Sequence, residues 1–282
     1  MRLAYLILVH NNPRQLNRLI GRLTYDGADF YVHVDEKTDI RPFLPIKKWG
    51  NVHFITKRET IHWAGYSMVQ ATLNGLNEIL ATGNPYDNIT LMSGQDYPIK
   101  SNAEIQEFFA ANPGKIFMDT LSVENEWREA IPRITQYHMP DLNFPGKHTA
   151  LRVVNTLIPR RKMPMDLTPV GRSQWFSIPL AGAAYITEYM EQHHELARFF
   201  KKSWAPDEMI FQTILYGSHY NKDMVNNNLV YVDWTNGKAS PKILTIADAE
   251  ALGRSTKLFA RKFNPEIDPE ILDYLDKKQA KT

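Results

Sequence analysis

Asp207 and Glu208 stand side by side in the stretch SWAPDEMIFQTIL (203–215), flanked by Trp204, Met209, Ile210 and Phe211. A carboxylate set in an apolar wall is a candidate general base, because burial raises its affinity for a proton. The same two acids, following Pro206 at the head of an apolar segment, also suit the first turn of a helix, whose dipole favours negative charge. On the local sequence alone both readings stay open: one of the two acids as a base, or both as first-turn acids, with Asp207 capping or orienting the turn. A second group of polar residues follows three predicted strands: His10 to Asn12, Asp35 to Lys37, and Ser93 to Asp96. Open parallel sheets bind ligands at the carboxyl ends of their strands. Asp35 there suits a ribose or base, or else caps the next turn; Asp96 shapes a ligand pocket, or belongs to a turn fixed by Gly94 and Pro98. A third group is basic: Lys238, Lys242, Arg254, Lys257, Arg261 and Lys262. Two or three of these would suffice to neutralise a leaving anion. Trp63, Trp175 and Trp234 fit either a core or a platform for the C–H face of a sugar.

These groups need elements that bring them together. LAYLILV (3–9) is a continuous apolar run, the pattern of a strand buried on both faces. A helix follows, with Leu16, Leu19, Ile20 and Leu23 at helical spacing. FYVHVD (30–35) and VHFIT (52–56) read as strands. GYSMVQATLNGLNEILATG reads as a helix with Val69, Leu73, Leu76 and Leu80 on one stripe, and YDNITLMSGQD as a strand entering a glycine turn. KIFMDT adds a strand. This β-α-β-β-α-β order predicts an α/β fold with a mainly parallel central sheet flanked by helices. Beyond an irregular middle (120–180), AAYIT reads as a strand, EYMEQHHELARFFKKS as one helix, LVYVDW (229–234) and KILTI (242–246) as strands. The charged tail from Asn264 reads as a peripheral helix. The expected organisation is one domain over 1–282, with a nucleotide-binding part (1–120), an acceptor and catalytic part (121–264) and a tail (265–282).

The bulk numbers narrow the chemistry. Of 282 residues, 43% are hydrophobic and 23% charged, enough to build a sizeable core. A net charge of +2 gives no reason to expect nucleic acid as a partner. With no cysteine, disulfides and thiolate metal sites are excluded. GxGxxG, GxxxxGK[ST] and HExxH are all missing, which disfavours dinucleotide oxidoreductases, P-loop enzymes and zinc proteases. His193 and His194 are adjacent on a predicted helix and point apart, as a solvated face does. Asp-x-Asp, the usual metal-holding pair of nucleotide-sugar transferases, is replaced after the fourth strand by SGQD. Its nearest substitute, Asp248-Ala249-Glu250, lies beyond the last predicted strand. A metal-free site would then rely on lysine and arginine.

AYLILVHNNPRQLNRLI, FYVHVDEKTD, LMSGQDYPIKSNAEI, SQWFSI, WAPDEMIFQTIL and LFARKFNPEID occur in that order. With them the chain, from Leu3 to Asp268, resembles the core-2/I-branching β-1,6-N-acetylglucosaminyltransferase family, which also contains peptide O-xylosyltransferases and plant glucuronosyltransferases. The resemblance implies a GT-A-like nucleotide-sugar-binding fold, a UDP-sugar donor, inversion at the anomeric carbon and no metal. It places Leu8 and Asp35 at the uracil and ribose, Trp63 near the donor, Glu208 as catalytic base and Trp234 near the acceptor. Lys242 and Lys262 fall at the two basic positions that hold the diphosphate. His10 and Asp96 join the donor side from their strand ends. Arg133, in the basic and aromatic segment WREAIPRITQYH, and Trp175 join the acceptor side. Animal members carry disulfides and a membrane-anchored stem, so a bacterial, cytoplasmic member is expected. Its acceptor would be a glycan or a lipid-linked oligosaccharide, and the basic run 159–162 is the candidate for peripheral membrane contact. N-acetylglucosamine is the first donor sugar implied, with xylose or glucuronate next, for a capsule, exopolysaccharide or other surface glycan. Two rival readings remain: a non-catalytic nucleotide- or carbohydrate-binding protein, and a glycoside hydrolase. The hydrolase needs two facing carboxylates, whereas adjacent residues on a helix diverge by about 100°.

Overall fold

The first strand, β1 (Leu3–Val9), is buried along its whole length and pairs in parallel with a strand on each side. This is what its unbroken apolar run requires. The computed structural model that shows this describes residues 1–237 and 240–279, the last by its backbone alone. Lys238 lies outside the described residues.

In chain order β1 is followed by α1 (Pro13–Leu23), β2 (Ala28–Val34), β3 (Val52–Phe54), α2 (Tyr66–Ala81), β4 (Asn88–Ser93) and β5 (Tyr97–Pro98). Then come α3 (Asn102–Ala111), β6 (Ile116–Met118), β7 (Leu121–Ser122), α4 (Ile131–Thr135), α5 (Lys147–Leu157), β8 (Val170–Gly171) and β9 (Phe176–Ile178). The remainder is α6 (Leu180–Gln192), α7 (His194–Phe200), α8 (Ile210–Tyr216), β10 (Met224–Asn226), β11 (Val230–Val232), α9 (Ala249–Arg254), β12 (Phe259–Arg261) and α10 (Glu270–Gln279).

The main sheet has the order β10-β6-β9-β4-β1-β2-β3. β3, β2, β1 and β4 run parallel, β9 runs antiparallel between β4 and β6, and β10 is parallel to β6. A smaller sheet, β11-β12-β5, carries the C-terminal basic residues. The α/β class and the mostly parallel sheet agree with the sequence reading. Helix α1 starts as its sequence indicates: Pro13 opens it, and the Asn12 side chain accepts from the Gln15 N–H. The four residues of its apolar stripe are buried.

Four local expectations are corrected. AAYIT belongs to α6, not to a strand; Ala183, Ile186, Thr187 and Met190 bury one helical face, so the period there is 3.6 rather than 2. The helix expected from Glu188 onward breaks at His193, which leaves helical backbone geometry and separates α6 from α7. KILTI forms no strand; Leu244 donates to the Lys262 carbonyl, and Thr245 caps a short turn over Ile246–Asp248 through Asp248. The segment Pro206–Glu208 is a 3₁₀ turn ahead of α8, not the first turn of an α-helix. The tail forms the expected helix, α10, and also buries Ile271, Leu272 and Leu275.

Candidate active site

Strand ends β1, β2 and β4 open onto a cleft of about 1070 Å³. Leu8, His10, Asp35 and Ser93 line its floor on this side. Trp63, Arg133, Asp207, Glu208, Trp175, Trp234 and Lys262 line it from other elements. These eleven residues, all singled out from the sequence, therefore share one cavity, although they span residues 8 to 262. Asp96 and Lys242 do not line it.

Glu208 is held by backbone as much as by its side chain. Ala205 sits at φ 46°, a left-handed conformation that costs a residue with a Cβ, and turns the chain into the Pro206–Glu208 turn. The Ala205 N–H donates to the carbonyl of Ala64, itself at φ 59°. On the other side the Arg172 N–H donates to the Glu208 carbonyl at 3.0 Å. Gly171 permits that approach: a Cβ there would sit 2.0 Å from the Glu208 carbonyl oxygen. The Glu208 carboxylate meets Arg133 Nη1 at 2.5 Å with about 32% of its side chain exposed to the cleft. Burial raises its proton affinity, and the Arg133 guanidinium opposes that rise. Arg133 lies 4.8 Å over the ring of Trp127, which fixes the approach of its charge.

Asp207 is buried beside this pair, and its Oδ1 has no hydrogen-bond partner among the described residues. It therefore does not cap the turn through that oxygen. Burial first, then the neighbouring Glu208 charge, raises it well above the ordinary carboxylate range. The folded state thus holds this proton more tightly than the unfolded chain does. Its contribution to stability is full below the ordinary carboxylate range and is lost as pH rises through the folded-state value. Asp207→Asn is accordingly expected to melt higher than the wild type at about pH 9 and equally at about pH 4. Thermal denaturation at the two pH values checks this; a variant that melts lower at both would mean that Asp207 is ionised and used structurally.

Asp35 is nearly buried, and its Oδ1 accepts the Lys37 N–H at 3.0 Å, so it caps its turn while facing the cleft. Trp63 and Trp234 are 69% and 56% exposed, unusual for tryptophan and suited to stacking a ligand. Trp204, quoted above only as a neighbour of the acids, packs edge-on against Trp63 and lines the same wall. Trp175 is nearly buried, with the Arg261 guanidinium 4.0 Å above its ring.

Arg261 pairs with Asp96 at 3.3 Å, and Asp96 is fully buried behind it. Asp96 also accepts the Ser93 N–H, so SGQD forms a closed turn whose acid faces the protein and the base of Arg261. Lys262 follows directly and lines the cleft; its ammonium is pushed down by burial and by Arg261. Lys242 runs beside Lys262 at the backbone but sends Nζ to Asp248 at 2.6 Å and Asp233 at 3.8 Å. Arg172, Asp119, Lys257 and Asn228 also line the cleft. Of these only Lys257 stood among the basic candidates, and Arg172, beside Gly171 on the Glu208 backbone, had no motif to mark it. Arg254 pairs with Glu250 and lies away from the lining. Among the described residues, no group of three or more His, Asp or Glu side chains is placed to hold a metal ion.

Fold and cleft together define an α/β protein with a cleft at the carboxyl ends of its parallel strands, where open sheets bind ligands, and an arginine-held carboxylate in the same cleft. The sequence profile of the Core-2/I-Branching enzyme family matches residues 3–253, and the chain belongs to that family. The α/β architecture with a mostly parallel central sheet that the sequence resemblance implied is the one described above. The chain is 26% identical over 300 residues to Xylosyltransferase oxt of Drosophila melanogaster, covering 98% of this chain and 33% of that protein. It is 25% identical over 302 residues to human Xylosyltransferase 2, with the same two coverages. It thus spans about a third of the length of these curated relatives. Among solved structures, mouse xyloside xylosyltransferase 1 in its apo form aligns over 92% of this chain and 97% of that one, with 11% identity and a TM-score of 0.39.

Proposed function

We propose that the chain is an inverting, metal-independent glycosyltransferase that moves a sugar from a UDP-sugar to a glycan hydroxyl, with Glu208 as general base. The observation that carries this reading is the Glu208–Arg133 pair facing a cleft whose other side is made of strand ends. The acceptor oxygen forms a bond to the anomeric carbon while the bond to the UDP oxygen breaks. The hydroxyl proton passes to Glu208, and UDP carries away the bonding pair. Arg133 keeps Glu208 ionised until that proton arrives, and its own charge serves the acceptor side. Leu8, His10 and Asp35 face the nucleoside. Lys262 stabilises the leaving diphosphate, with Lys242 recruited from Asp248 when the diphosphate is present and Asp96 acting from behind through Arg261. Trp63 stacks on the donor side, Trp234 and Trp175 on the acceptor side. N-acetylglucosamine is the first donor sugar to test. The relatives named xylosyltransferases put xylose beside it, and glucuronate completes the set.

The reading is tested by thermal-shift binding of a panel of nucleotide sugars in EDTA, on the wild type and on Lys262→Ala. A ligand that binds only the folded state raises Tm by mass action, by about 2.7 kcal/mol of stability at a hundredfold excess over Kd. One UDP-sugar is expected to stabilise the wild type without metal, and Lys262→Ala to lose most of that shift. A panel that shifts nothing, or shifts only with added metal, would sink the proposal.

A further inference from the structure

Helix α5 (Lys147–Leu157) buries no residue. An amphipathic helix in a folded protein normally covers its apolar stripe, and this one leaves it open. Ala150, Val153 and Leu157 recur at i, i+3 and i+7 on its outer flank, and Val153 and Leu157 are 51% and 77% exposed. Leu142 and Phe144 before the helix, and Ile158 after it, extend the same exposed apolar surface. From residue 142 to 165 the chain contains no acid. Arg152, Arg160 and Lys162 are exposed there, and none pairs with a carboxylate among the described residues. Arg161, in contrast, is turned inward. It donates to the carbonyls of Gln136, Phe199 and Lys202 and stacks 3.9 Å from the Phe199 ring. The basic run therefore divides: one arginine fastens the segment to the protein and its neighbours face outward.

We infer that the surface formed by residues 142–162 docks on an anionic lipid bilayer, with the apolar stripe of α5 in the headgroup region and Arg152, Arg160 and Lys162 on the lipid phosphates. The charge selects this occupant. Apolar side chains in an acid-free segment that exposes Arg152, Arg160 and Lys162 match a surface that is apolar below and negative above. The segment is also fastened where the cleft begins. Asp141, one residue before it, accepts from the Tyr66 N–H and the Ser67 hydroxyl at the start of α2, next to the lining residues Trp63 and Ala64. At the other end the Arg161 N–H donates to the Thr135 carbonyl of α4, the helix that carries Arg133. A bilayer touching α5 thus lies beside the wall that holds Arg133 and Trp204. No helix among the described residues is long and apolar enough to cross a membrane, so the contact is peripheral.

The test is co-sedimentation of the purified chain with vesicles of phosphatidylcholine alone and of phosphatidylcholine with phosphatidylglycerol. It needs no donor or acceptor, so its outcome is independent of the reaction proposed above. Binding is expected only to the anionic vesicles, weakening as salt rises. Each of Arg152→Gln, Arg160→Gln and Lys162→Gln should reduce partitioning about five-fold. Val153→Asp with Leu157→Asp should abolish it without lowering Tm, because both side chains are exposed. Failure to bind anionic vesicles overturns the inference, as does binding that the aspartate pair leaves intact. So does a concentration-dependent dimer, seen by light scattering, that the same pair dissolves: the surface would then join two copies of the chain.

Discussion

Glu208→Gln is expected to lower the rate of sugar transfer by about 10²–10⁴-fold while leaving donor binding unchanged. Gln keeps the size of the side chain and can still accept from Arg133, so the turn at Pro206–Glu208 and the cleft should persist. What is lost is the group proposed to take the hydroxyl proton. On the proposed reading Glu208 faces the acceptor rather than the donor, so the donor affinity measured by thermal shift should stay within about two-fold of the wild type. The pH profile supplies a second, independent reading. The base works in its ionised form, so the wild-type rate should rise with pH through the Glu208 titration. Burial raises that titration and Arg133 lowers it. Arg133→Gln removes the lowering influence, so the limb should move to higher pH. A variant Glu208→Gln that transfers sugar at the wild-type rate would remove Glu208 from the chemistry; one that loses donor binding as well would make it a structural residue.

How far this site can be read from sequence depends on the kind of residue. The place of Glu208 in the cleft was expected from the family resemblance, since its local stretch equally suits a helix start, and that of Asp35 because it ends a strand whose apolar run is unmistakable. The parallel core β1-β2-β4 was legible for the same reason: strands buried on both faces have nothing to confuse their pattern. Gly171 was not legible. Its role lies in the 2.0 Å that a Cβ would leave to the carbonyl of Glu208, a contact between segments 37 positions apart with no local signature. Arg133 was expected on the acceptor side, but its bond to Glu208 depends on the return of α4 to the cleft wall. AAYIT was misread because five apolar-rich residues fit either period; only the longer stripe to Met190 separates them. Lys242 and Lys262 were both placed at the diphosphate by the family resemblance. They are neighbours in space, yet the capping acid Asp248 holds the Lys242 ammonium while, among the described residues, Lys262 forms no ion pair, a difference set by the turn at Thr245.

Asp96→Ala is expected to destabilise the fold by about 3–5 kcal/mol, with a fall in Tm on the order of 10 °C. Asp96 is fully buried, and the guanidinium it faces has an exposure of only 8%. Burial raises the acid and lowers the arginine, so both pay for being dry, and the charge of each opposes the shift of the other. Removing one partner leaves a buried positive charge wedged between Trp175 and the SGQD turn, and frees the Ser93 N–H that Asp96 accepts. The double variant Asp96→Ala with Arg261→Met should recover a large part of the loss, because it removes the stranded charge along with its partner. The two variants also separate structure from ligand binding. If Arg261 serves only to brace β12, the double variant should bind the UDP-sugar as the wild type does once stability is restored. If Arg261 adds its charge to Lys262 at the diphosphate, the double variant should fold and still bind donor weakly. Equal stability of Asp96→Ala and wild type would mean that Arg261 finds another partner, and the brace would have to be sought elsewhere in the cleft.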